Sequence, residues 1–131
     1  MPSLKEKASL RDWLWLALTP QVTPLNKQKW IQQHPDPYNI RQHVRRTFPS
    51  QLTSNATDQH IKEALGWHQA SPTHHIITLN NPSYPPRLKQ ISTPPVVLFV
   101  HGNPSLLSNP QLAIVGSRKA TPLGLKTAHH F

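Results

Sequence analysis

Cysteine is absent, which excludes thiol nucleophiles, a disulfide framework and cysteine-based zinc sites. A chain without thiols fits a reducing compartment. Acidic residues are scarce as well, and all five (Glu6, Asp12, Asp36, Asp58, Glu63) precede Ala70. From Ser71 to Phe131 there is no carboxylate side chain, so that stretch can hold neither an Asp/Glu general base nor a carboxylate-based hard-metal site. Long apolar runs are also missing. The hydrophobic stretch near the N-terminus, Leu10 to Leu18, carries Arg11 and Asp12 and is too short and too charged for a signal or membrane segment. The expectation is a soluble, cytoplasmic protein with no membrane partner.

What is present is positive charge. Fourteen Lys and Arg against five Asp and Glu give a formal charge of +9 at pH 7. A small chain this basic usually meets a polyanion. Residues up to Ala70 carry +4, and the acid-free remainder carries +5 on Arg87, Lys89, Arg118, Lys119 and Lys126. Nine histidines are available, but no pair has the spacing of a metal motif, and adjacent pairs such as His74-His75 and His129-His130 chelate poorly. No metal site and no cofactor are expected.

The first seventy residues predict four short helices joined by proline-bearing turns. Residues 9–18 place Leu10, Trp13, Leu14, Ala17 and Leu18 at helical spacing, with Ser9 and Asp12 as a capping box and Pro20 as the stop. Thr23 and Pro24 open a second helix that runs through Trp30 to about Gln33. Asp36 and Pro37 repeat that entry signal for a third, with Ile40, Val44 and Phe48 on one face and Arg41, Arg45 and Arg46 on the others. A fourth runs from about Ser54 to Gln69, with Ile61, Ala64, Leu65 and His68 in register. Residues 1–70 are therefore expected to form a small all-helical module. Trp13 and Trp30 belong to its core, whereas Trp15 lies off the main leucine stripe and is expected to be exposed or domain-facing. The Arg41/Arg45/Arg46 cluster is either a secondary phosphate contact or a solvated face.

The texture changes after Ala70, where nine of the fifteen prolines fall. Residues 75–79 and 96–100 read as strands, with a short helix over residues 84–91 between them. Leu112-Ala113-Ile114-Val115 reads as a third strand, apolar on both faces as buried parallel strands are. It runs into Gly116-Ser117-Arg118, and a helix is expected from about Pro122. The overall expectation is an α+β or α/β chain: the helical module at 1–70, then the incomplete start of a parallel-sheet domain at 71–131.

That last turn is the stretch that carries chemistry. A strand delivers the chain to a tight turn in which Gly116 allows close backbone approach, Ser117 offers a hydroxyl, and the following helix start offers free N–H groups to an anion. Arg118 adds a forked cation suited to a pair of phosphate oxygens, and Lys119 is a helper by position. The pattern is neither G-x-G-x-x-G nor a P-loop, so dinucleotide and triphosphate binding have no support. The alternative is a plain strand-to-helix turn with a solvated arginine.

Four blocks in order, HHIITL, YPPRL, ISTPPVVLFVHGN and LAIVGSRKATPLG, make residues 74–131 resemble the DprA (Smf) family of DNA-processing proteins. The resemblance implies a Rossmann-like sheet domain behind a small helical, SAM-like module. It implies that single-stranded DNA is the ligand, that the complete protein protects it and loads the RecA recombinase onto it during natural transformation, and that this is done without catalysis. Carried over, the DNA site includes Gly116, Ser117 and Arg118, with Lys119 beside them. The family's homodimer surface and RecA-contacting region would fall beyond Phe131, so the chain is expected to be an N-terminal fragment of the active protein. Two other readings are weighed against this one. The first is a nucleotide phosphoribohydrolase of the lysine-decarboxylase-like group, which often has a similar Gly-Ser turn but lacks the Tyr-Pro-x-x-Leu and Pro-Pro-Val-Val-Leu-Phe blocks. The second is a stand-alone helical interaction module.

Overall fold

The computed structural model describes residues 4–20, 22–34, 36–47 and 55–131. Helix α1 (Leu4–Leu18) is followed by α2 (Pro24–Gln33), α3 (Pro37–Thr47) and α4 (Asn55–Ala70), then strands β1 (His74–Thr78) and β2 (Val97–His101) and a last helix α5 (Pro122–His130). Single 3₁₀ turns lie at Leu88–Gln90 and Pro104–Ser108.

The proline-marked entries form as the sequence predicts. Thr23 takes an extended conformation and its hydroxyl accepts from the Asn26 N–H, while Pro24 fills the first helical position, where its missing N–H costs nothing. Asp36 receives the Tyr38 N–H at 3.0 Å ahead of α3, whose Pro37, Ile40 and Val44 are buried. Phe48, expected on the same face, lies outside the described residues.

Helix α1 departs from expectation at its start. It begins at Leu4, so Ser9 stands inside the helix and not at its cap. Asp12 is buried in the helix body and receives Arg41 of α3 at 3.1 Å in the one ion pair among the described residues. Trp13, Leu14, Trp15 and Leu16 are four consecutive residues with 4% exposure or less. One amphipathic stripe cannot bury four in a row. The helix does so because α3, α4 and β2 all pack against it. Trp15 is therefore a core ring, and the Arg41 guanidinium lies 5.9 Å from its centre. Past Leu18, both the backbone and the side chain of Thr19 donate to the Trp15 carbonyl and close the last turn. Lys27 of α2 donates to the Ala17 carbonyl at 2.7 Å, and partial burial draws its amine below the ordinary lysine range.

The core continues past α4 into the hairpin. Val96 and Val97 join Leu14, Ile40 and Ile61 in one cluster, with Ile76 and Leu79 packed against it. The two strands pair antiparallel, His74 opposite His101 and Thr78 opposite Val97. The connection from β1 to β2 is pinned by Tyr84, 2% exposed, whose hydroxyl donates to the Pro95 carbonyl at 2.7 Å. The short helix expected over 84–91 contracts to the 3₁₀ turn at Leu88–Gln90.

The third expected strand does not form. Residues 111–117 have no regular structure, and Leu112, Ile114 and Val115 are 71%, 60% and 90% exposed. A strand is defined by its ladder, and in the one sheet among the described residues β1 and β2 pair only with each other. The chain is mixed α and β, and that one sheet is antiparallel where a parallel one was expected. Among the described residues no helix is long and apolar enough to cross a membrane.

Candidate nucleic-acid interface

Gly116, Ser117, Arg118 and Lys119 form the exposed bend between the irregular residues 111–115 and α5. The bend is built locally. The Ser117 hydroxyl oxygen accepts the Lys119 N–H at 3.1 Å, a side-chain turn that fixes the direction of the chain. Thr121 then caps α5, accepting the Gly124 N–H on its hydroxyl, and Pro122 fills the first helical position. Gly124 suits this cap, since a β-carbon there would sit 3.2 Å from the Thr121 hydroxyl oxygen and crowd it. Gly116 is different. A β-carbon at that position would meet nothing within 4 Å, and its φ is not positive. Packing within the chain therefore makes no demand for glycine at 116.

The donors can be counted. The Gly124 N–H is satisfied by the cap and the Lys119 N–H by Ser117, so neither is free for a ligand. The Ser117 hydroxyl accepts through its oxygen and so keeps its own hydrogen available to donate. Arg118 and Lys119 are exposed, with no carboxylate side chain anywhere between Ser71 and Phe131 to neutralise them. The bend thus offers one hydroxyl donor and two cations to an anion. Next to it, residues 112–115 and α5 border an open apolar cleft of about 630 Å³ lined by Leu112, Ile114, Val115, Leu123, Thr127 and Phe131.

The other sequence candidates are placed differently. Arg41 is committed to Asp12 and Trp15, whereas Arg45 and Arg46 are exposed in the last turn of α3. Among the described residues no three His, Cys, Asp or Glu side chains gather as a metal centre would require. One assembly was not anticipated: Trp67 of α4 with His74, Phe99 and His101 of the hairpin. The signal for it is the strand alternation, which puts His74, Phe99 and His101 on one face once the antiparallel register is known.

Residues 75–131 match the profile of a family described as DNA recombination-mediator protein A. Over 58 residues the chain is 41% identical to Protein Smf of Escherichia coli (strain K12), an alignment that takes in 44% of this chain and 15% of that protein. The chain thus corresponds to a small part of this curated relative. No solved structure matches it significantly.

Proposed function

We propose, from the match of residues 75–131 to the DNA recombination-mediator (DprA/Smf) family, that the chain supplies a phosphate-contacting turn to a cytoplasmic single-stranded-DNA-binding protein of recombination. In this reading Arg118 and Lys119 hold a phosphate, Ser117 donates to it, and Gly116 leaves the strand room to approach. The observation that carries it is the exposed Ser117-Arg118-Lys119 bend in a stretch with no carboxylate to compete for its cations. The open space at Gly116 is compatible with it, since nothing within 4 Å blocks close approach to the backbone there.

The larger assignments belong to the same proposal. Residues 1–70 correspond to a helical, SAM-like module, and residues 71–131 to part of a Rossmann-like domain. Protection of single strands, homodimerisation and loading of RecA are functions of the longer protein. Contacts to phosphate and stacking carry no sequence code, so binding is expected to be indifferent to base order.

The test is anisotropy of a labelled oligothymidine titrated with the chain, and with a form extended to family length, across a salt series. Arg118→Ala should weaken binding and make the slope of log affinity against log salt shallower by roughly 0.7, the share of one phosphate on a single strand. An unchanged slope removes Arg118 from the site. Hydrolysis of a nucleoside monophosphate by the extended form would instead favour the phosphoribohydrolase reading.

A further inference from the structure

The four-ring assembly between α4 and the hairpin has no part in the phosphate turn. The His74 ring lies flat on Trp67, centroids 4.2 Å apart and planes 4° from parallel. Phe99 meets Trp67 edge-on at 5.6 Å, and His101 meets His74 edge-on at 4.9 Å. The inner pair is fixed by hydrogen bonds as well as by packing. His74 Nδ1 donates to the Trp67 carbonyl at 2.6 Å, and His68 Nδ1 donates to the His74 carbonyl at 3.0 Å. A carbonyl only accepts, so both imidazoles carry a proton on Nδ1. The outer pair is open to solvent: Phe99 is 47% exposed and His101 is exposed.

We propose that Phe99 and His101, backed by Trp67 and His74, form a stacking platform for a base of single-stranded nucleic acid, distinct from the Ser117–Lys119 turn. Three observations point to a nucleobase. The surface consists of ring faces and edges, and rings are the surfaces on which unpaired bases stack. The backing ring of His74 is held by stacking on Trp67 and by its hydrogen bond, which limits the conformational entropy lost on binding. The hairpin and its connection carry Arg87 and Lys89 and no acid, which favours a ligand whose backbone is a polyanion. The proposal takes its ligand class from the preceding section, but it rests on different residues and a different interaction.

The experiment compares an oligothymidine with an abasic oligomer of equal length, at one salt concentration and across a series. The proteins are the wild type, Phe99→Leu, His101→Gln and Arg118→Ala, each shown by circular dichroism to be folded. Phe99→Leu keeps apolar volume and removes the ring. The expected result is tighter binding of the base-bearing strand by the wild type. Phe99→Leu should weaken that strand by roughly 5- to 100-fold, the worth of one stacked base, with the abasic strand and the salt slope unaffected; His101→Gln should do so to a smaller extent. Arg118→Ala should instead weaken both strands and change the slope. Equal binding of the two strands by the wild type would overturn the platform and leave the phosphate turn standing. An unaltered slope in Arg118→Ala, with discrimination lost in Phe99→Leu, would overturn the turn and uphold the platform. No binding of either strand would overturn both. A Phe99-dependent dimer in sedimentation, without discrimination between the strands, would show the rings to be a contact between copies and overturn the proposal.

Discussion

The helices α1–α4 with the hairpin, and residues 111–131 beyond them, use the same apolar residue types to opposite effect. In the first region Leu14 and Leu16 are fully buried and Ile40 and Val44 are 1% exposed; in the second Leu112, Ile114, Val115 and Leu123 are all at least 60% exposed. Composition does not separate them. The difference is that α1 has neighbours on three sides, whereas among the described residues Leu112–Val115 has no strand beside it to complete a ladder and shares an open cleft with α5. Apolar sequence fixes which faces seek cover, and the availability of hydrogen-bonding partners decides whether a strand exists at all.

The contrast is sharpest in amide exchange. Backbone amides of α1 and the β1–β2 ladder should exchange on the order of 1,000-fold more slowly than those of residues 111–131, read by mass spectrometry. Equal protection would erase the distinction between the regions. A matched pair of truncations comes next. Ile40→Ala should cost about 2–4 kcal/mol in urea denaturation, from lost burial plus the cavity left behind, and Val115→Ala should stay within about 0.5 kcal/mol. The smallest effect concerns the loop that ties the hairpin down. Tyr84→Phe leaves the Pro95 carbonyl without its donor and should cost about 1 kcal/mol. Burial also holds the Tyr84 phenol above its ordinary pKa. From about pH 10 upward the unfolded chain therefore loses that proton before the folded one does, and stability falls as pH rises toward the folded value. Denaturation midpoints across that range should fall less steeply in Tyr84→Phe than in the wild type.

How much of this was legible in the sequence follows the range of the interactions involved. The entries of α2, α3 and α5 were readable because Thr23-Pro24, Asp36-Pro37 and Thr121-Pro122 are local signals that each satisfy a helix end within three residues. The exposed Gly116–Lys119 bend was readable for the same reason. The burial of Trp15 was not, since a single helical stripe gives no hint that a third element covers the other side. Whether Leu112–Val115 forms a strand is not written in the sequence, because a β-branched run reports a propensity and says nothing about a partner. The ring assembly depended on the pairing of His74 with His101, a register that sequence spacing does not contain.

Helix α2 has no buried residue, yet two adjacent side chains on it reach in different directions. Lys27 holds the Ala17 carbonyl near the end of α1, ten residues away, and Gln28 holds the Pro94 carbonyl ahead of β2, sixty-six residues away. The two bonds therefore belong to different moments of folding. The first can close as soon as the α1–α2 turn exists, while the second must wait for a long loop to be brought round, after most of the closure entropy has been spent. A bond closed after the transition state would act mainly as a brake on unfolding.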